Sequence, residues 1–248
     1  MAGITKYGRT RFSPDRMADV GSMKKIVNEK TVVWSVFAVF GCSSIYLIVL
    51  LALSASDPHP GGYGFVLVKC VVSMAAMFVP AALRRWLVIP SGLVIVYACF
   101  LFCGVFLAEV CFFYVLIPAW DTILHGLSGI GLALVAISLT GLLNRSGSLK
   151  PGFVAFFAFC FSTASGAVWE IYEYVFDSIA NLNMQEYMSD DGQALIGHAV
   201  LVDTMTDLIA DTAGAIVMSV IAFIFMKRDK CWLNRMQISR LQGQSDSC

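Results

Sequence analysis

The sequence predicts an all-α, polytopic membrane protein with six transmembrane helices in one bundle and both termini in the cytoplasm. Three observations predict it. Hydrophobic residues make up 58% of the 248-residue chain and charged residues 14%, too little charge to cover a soluble domain. Six apolar runs reach the roughly 20 residues that a helix needs to cross a bilayer. Lysines and arginines occupy alternate connections only, the pattern of positive-inside orientation.

The first apolar run, 31–55, follows a polar, basic lead and is too long for the apolar core of a signal peptide. It reads as a retained helix over 31–54. DPHPGG (57–62) is a tight turn, and a second helix over 63–83 stops at Arg84, Arg85 and Trp86. The third helix is expected over 88–110. The stretch from Trp86 to Trp120 is too long for one crossing, so its end, EVCFFYVLIPAW, reads as running along the membrane interface, a level that suits Tyr114 and Trp120. A fourth helix covers 122–143, the polar loop NRSGSLKPG follows (144–152), and the last two helices cover 152–176 and 203–226. The organisation is a basic tail (1–30), one helical domain (31–226) and a second basic tail (227–248), without internal repeat.

Orientation follows from the 17 Lys and Arg residues. Lys6, Arg9, Arg11, Arg16, Lys24, Lys25 and Lys30 precede the first helix. Arg84 and Arg85 lie in the second loop, Arg145 and Lys150 in the fourth, and Lys227, Arg228, Lys230, Arg235 and Arg240 in the C-terminal tail. The exception is Lys69, about 9 Å inside the second helix from its outer end. No basic patch of the kind nucleic acid requires is present. Of the cysteines, Cys42, Cys70, Cys99, Cys103 and Cys160 sit in apolar runs as small, lipid-compatible residues. Cys111 alone lies near the outer face, and neither a metal-binding CxxC nor a disulfide pair is expected.

The acids carry the functional signal, because charges inside a bilayer cost several kcal/mol and mark functional sites. Asp121 and His125 are spaced i,i+4 at the outer start of the fourth helix. Glu170 and Glu173 are i,i+3 at the outer end of the fifth. Asp203, Asp207 and Asp211 step down the outer half of the sixth. Each set shares a helical face at matched depth, so the groups are expected in one pocket, with Glu173 and Asp203 nearer the surface. So many carboxylates in low dielectric must either hold protons or share a cation. Oxygen ligands with one imidazole suit a divalent metal: Mg, Mn, Ca or Zn. Asp177, Glu186, Asp190 and Asp191 read instead as a solvated loop and Glu109 as a helix-end charge. Gly126, Gly129, Gly131, Ser162, Ser165, Gly166 and Gly214 would let the three acidic helices approach closely.

WDTILHGLSGIGLAL (120–134), SGAVWEIYEYVFD (165–177) and DTMTDLIADTAGAIV (203–217) resemble the motif helices of the YjdF-type family of uncharacterised bacterial inner-membrane proteins. More distantly they are similar to VanZ-like proteins, from which the chain departs at Thr122, Glu173 and Asp211. The resemblance implies a multi-pass protein of the bacterial plasma membrane in an envelope setting, and no established reaction.

Three readings stay open. One is a metal-dependent enzyme acting on a membrane lipid or lipid-linked substrate, with His125 or Glu170 as the catalytic base and metal ligands drawn from Asp121, His125, Glu170, Glu173, Asp203, Asp207 and Asp211. The others are a small cation- or proton-coupled transporter using the acids as a relay, and a non-enzymatic envelope protein. The basic-residue pattern makes its own prediction. Reporter fusions placed after Lys30, Lys150 and Lys230 should all read cytoplasmic, and a periplasmic signal at Lys150 would overturn the six-span orientation.

Overall fold

In hydrocarbon an apolar chain has to satisfy every backbone N–H and C=O internally, which leaves the helix as its form. Six helices long and apolar enough to cross a membrane result. The computed structural model describes residues 28–53, 62–143, 149–189, 192–229 and 231–240. Most of the basic lead, Asp57, His59, Arg145, Asp190, Asp191 and Lys230 lie outside the described residues.

Helix α1 (Glu29–Ala52) is capped by Asn28, whose side chain accepts the Lys30 N–H at 3.0 Å. The second crossing is not the unbroken helix expected over 63–83. It divides into α2 (Gly62–Ala76) and α3 (Val79–Leu83), because Pro80 lacks the N–H that would continue the ladder. A two-residue strand, β1 (Leu87–Val88), precedes α4 (Ser91–Leu101), so the third helix starts after Pro90 and later than residue 88. It runs on as a nine-residue π-helical segment, Phe102–Val110. The chain then turns at Phe112, with φ of 59°, into the short α5 (Phe113–Leu116). The Phe113 ring meets Trp120 edge-on at 4.8 Å.

The remaining elements are α6 (Trp120–Leu143), α7 (Pro151–Ala180), a 3-10 turn (Gly197–Leu201), α8 (Val202–Arg228), α9 (Trp232–Met236) and β2 (Ser239–Arg240). Helix α7 extends past the expected end at 176, to a left-handed Asn181.

The helices pack as two halves. Val36, Phe40, Leu47, Val66, Cys70 and Ala98 interlock α1, α2 and α4 around large apolar side chains. The other half, α6 to α8, is built on small residues, with Ala133, Ala136, Ala158 and Ala222 fully buried. A Cβ on Gly214 would run into the Gly126 carbonyl, and one on Gly129 into the Asp211 carbonyl. Large apolar side chains point outward on every long helix, among them Ile45, Val68, Phe156 and Ile209. Lipid is as apolar as leucine, so close packing and internal hydrogen bonds hold such helices together rather than burial alone. One such bond runs from Ser162 Oγ to the Gly129 carbonyl at 2.7 Å.

The ends of the bundle differ in charge. At the basic end Arg84 grips Glu29 through both carboxylate oxygens, at 2.5 and 2.7 Å. Residues 231–240 fold back across this end. Ser239–Arg240 pairs antiparallel with Leu87–Val88, the Ile238 N–H donates to the Ser138 carbonyl at 2.8 Å, and Gln237 Nε2 donates to Thr140 Oγ1 at 3.2 Å. Cys231 in this segment is disulfide-bonded, a correction to the expectation that no cysteine pairs. Its partner lies outside the described residues. It stands beyond the last apolar run, and the six cysteines in or beside such runs are free.

The glycine contacts make a prediction. Gly214→Ala should force α8 off α6 and cost about 1–3 kcal/mol, the usual cost of overpacking. A chain of this size would melt roughly 2–4 °C lower per kcal/mol. Gly131→Ala should leave the detergent melt unchanged, because its Cβ would meet only Val96 Cγ1 at an ordinary 4.0 Å.

Candidate functional site

Helical periodicity sets the site. Ser162, Gly166, Glu170, Glu173 and Asp177 form one buried stripe along α7. Asp207, Asp211 and Gly214 form another on α8. Leu124, His125 and Gly129 bring α6 to the same point. Asp121 and Asp203 occupy the first turns of their helices, where the dipole favours negative charge.

His125 is the hub. Its Nδ1 lies 3.0 Å from Asp211 Oδ2 and 3.9 Å from Glu170 Oε1, and its Nε2 lies 4.0 Å from Asp207 Oδ2. Ser128 donates to the other oxygen of Asp211 at 2.5 Å and also approaches the His125 carbonyl at 2.8 Å. Asp211 is therefore answered on both oxygens. Its position depends on Gly166, where a Cβ would stand 2.5 Å from Asp211 Oδ2.

Asp207 is not answered. It is 1% exposed, and neither oxygen accepts a hydrogen bond of ordinary geometry, the Thr122 hydroxyl standing close without closing one. Ligand atoms of Asp121, His125 and Asp207 all lie within 4.8 Å of one another. Around them, Glu170 Oε1, Glu173 Oε2 and Asp203 Oδ2 are also buried without a partner. The structure thus brings His125 together with Asp121, Glu170, Asp207 and Asp211. Asp203 is half-buried. Glu173 is not near the surface as expected: it is 4% exposed and accepts from Trp169 Nε1 at 2.8 Å.

Two residues read as bland turn out to be structural. Asp177 lies in α7 rather than in a solvated loop, and its carboxylate accepts the N–H groups of Met184 and Gln185 at 2.8 and 3.0 Å. Its i,i+3,i+7 spacing from Glu170 and Glu173 was the available signal. Glu186 is exposed. Glu109 is not a simple helix-end charge, because Lys69 Nζ bonds to it from α2. Lys69 also lies 4.5 Å over the Phe65 ring, so it is not a free cation for a substrate.

Gln185 was missed. Pinned by Asp177, the loop after α7 lowers its side chain over the acids, where Nε2 lies 3.2 Å from the Glu170 carbonyl and from Glu170 Oε2, and 3.1 Å from Thr204 Oγ1. Nothing in the local sequence marks it. Ser128 was missed too, although its i,i+3 spacing from His125 puts both on one face.

The chemistry follows from the two ring nitrogens. In the tautomer that donates Nδ1–H to Asp211, the Nε2 lone pair is on the side of Asp207, 4.0 Å away. A carboxylate fixing one imidazole nitrogen so that the other can bind is the usual support of a metal-ligating histidine.

The family described as predicted membrane protein (DUF2238) matches residues 41–228. The chain belongs to this family. The match runs from within α1 to the end of α8, so every residue named at the site lies inside it. This is the YjdF-type family indicated by the three motif helices. No curated protein and no solved structure matches the chain.

The Asp177 contacts predict that Asp177→Ala releases the loop over the site. Two hydrogen bonds to a charged acceptor, at about 1.5–3 kcal/mol each, should hold local opening down by at least about tenfold. Protease cleavage within 181–201 should accelerate accordingly, with Asp177→Asn intermediate because one acceptor oxygen remains.

Proposed function

We propose that this protein is a metal-dependent membrane enzyme acting on a lipid or lipid-linked envelope substrate, with Asp121, His125 and Asp207 as the metal ligands. The observation that supports it is Asp207. A carboxylate that is 1% exposed, with only the Thr122 hydroxyl near it and no hydrogen bond of ordinary geometry to either oxygen, costs several kcal/mol if it is ionised. No lysine or arginine among the described residues pairs with it. A divalent cation shared with Asp121 and His125 Nε2 removes that cost. One imidazole with carboxylates suits Mn²⁺ or Zn²⁺ better than Mg²⁺ or Ca²⁺. Ligand atoms up to 4.8 Å apart must draw in to the roughly 3–3.5 Å that bonds of about 2.0–2.2 Å to such ions set between neighbouring ligands.

The bound ion would polarise a phosphate or acyl oxygen of the substrate. Asp211 holds His125 in the tautomer that binds, and Ser128 holds Asp211. Glu170, with Oε1 unpartnered 3.9 Å from the imidazole, is the base that would take the proton of the attacking water and return it to the leaving group. Gln185, on its other oxygen, keeps that carboxylate turned inward. In this reading both termini are cytoplasmic in the bacterial inner membrane. That orientation opens the acidic end to the outer leaflet, and the placement of Arg84, Arg85, Lys150, Lys227 and Arg228 at the opposite end supports it.

One observation favours a second reading. Glu173 Oε2 and Asp203 Oδ2 are also buried without partners, and protonated acids in such a row would suit a proton-coupled transporter. A single experiment separates the two. If metal is bound, elemental analysis of the purified protein finds it, and a chelator lowers the detergent melt. Loss of a ligand held at 100 times its Kd removes about 2.7 kcal/mol, or roughly 5–10 °C here. Asp207→Asn should abolish that sensitivity. A melt that ignores chelator, with an unchanged or higher midpoint in Asp207→Asn, would reject the metal site, because Asn imitates the protonated acid.

A further inference from the structure

At the end of the bundle opposite the acids, α7 and α8 leave between them an apolar groove of about 380 Å³. Gly152, Ala155, Phe156 and Phe159 form one wall, and Ile216, Ser219, Val220 and Phe223 the other. The groove has a cation at its mouth, since Lys227 folds back so that Nζ lies 5.3 Å over the Phe223 ring. Arg228 follows Lys227, and Lys150 caps the start of α7 two residues before Gly152. These three have no acidic partner among the described residues. The neighbouring Asp229 is already held by Arg235.

The groove contains one polar group. Ser219 is 6% exposed, and its Oγ is buried without a partner. It lies four residues, about 6 Å of helical rise, deeper than Phe223. From the mouth inward α8 therefore carries the Lys227 ammonium over the Phe223 ring, then Ser219 about a turn below, then Ile216. A glycerophospholipid presents a phosphate, then an ester carbonyl, then an acyl chain, in the same order.

We propose that this groove binds one acyl chain of an anionic phospholipid, with Lys150, Lys227 and Arg228 on its phosphate and Ser219 on its ester carbonyl. Basic pockets between transmembrane helices are suited to anionic headgroups. This site is independent of the acidic cluster and does not rest on the metal reading.

Native mass spectrometry of the full chain, released from nanodiscs of equal phosphatidylglycerol and phosphatidylcholine, tests the proposal. Phosphatidylglycerol should be retained preferentially as a single bound lipid. Lys227→Gln and Lys150→Gln should each reduce that retention about fivefold, the worth of one basic residue at an anionic surface. Gly152→Trp should abolish it. A Cβ at Gly152 meets nothing within 4 Å, so the indole fills the groove without disturbing the helix, and an unchanged melting midpoint confirms the fold. Equal retention of the two lipids, or phosphatidylglycerol binding that survives Gly152→Trp, would overturn the site. A dimer peak lost in Gly152→Trp with no lipid retained would overturn it in favour of a second copy of the chain.

Discussion

A carboxylate removed from water has to be answered from within the bundle, and the acidic half of this protein is arranged around that demand. The sequence of causes is short. Glycines at 129, 166 and 214 let three helices approach until backbone and side chain touch. That approach fixes Asp211 beside Gly166, Asp211 with Ser128 fixes the His125 ring, and the ring presents its second nitrogen to Asp207. Placement of the imidazole thus begins with residues that have no side chain at all.

The two halves deal with buried charge in opposite ways. In the first, half-buried charges meet their opposites: Lys69 with Glu109, and Glu29 with Arg84. Such pairs need nothing from outside. In the second, like charges gather around one histidine, and hydrogen-bond donors reach only some of the oxygens. Asp211, Asp177 and one oxygen each of Glu170 and Glu173 are satisfied by protein groups. The unsatisfied oxygens are spread over two helices, on Glu170 and Glu173 of α7 and on Asp203 and Asp207 of α8. A single internal rearrangement could not answer them all.

Much of this was readable from residue order, because the bilayer imposes lengths and periodicities that a soluble core does not. Six spans followed from apolar length, and the positions of Asp121, His125, Glu170, Asp207 and Asp211 on facing stripes followed from helical spacing. What failed was local. Pro80 broke a span that hydropathy alone left continuous, and the π-helical segment at 102–110 carries no signature in a run that is apolar but for Glu109. Asp177 was read as solvent-facing because it stood beside a polar loop, although its stripe pointed inward. Gln185 reaches Glu170 only through the loop that Asp177 ties down, a contact across fifteen residues that no spacing rule covers. The C-terminal segment looked like a basic tail because its pairing partners lie in another part of the chain.

That segment has a consequence for how the protein is made. Strand β1 leaves the ribosome between the third and fourth helical elements and has no partner while α6, α7 and α8 are still being synthesised. Only when residues 238–240 emerge can Ile238 seat on Ser138 and Arg240 pair with Leu87. The two halves can each insert and pack as they appear, since each has its own core. Their alignment at the basic end is a late event in biogenesis, made by the last described stretch of polypeptide after every apolar helix is already in the membrane.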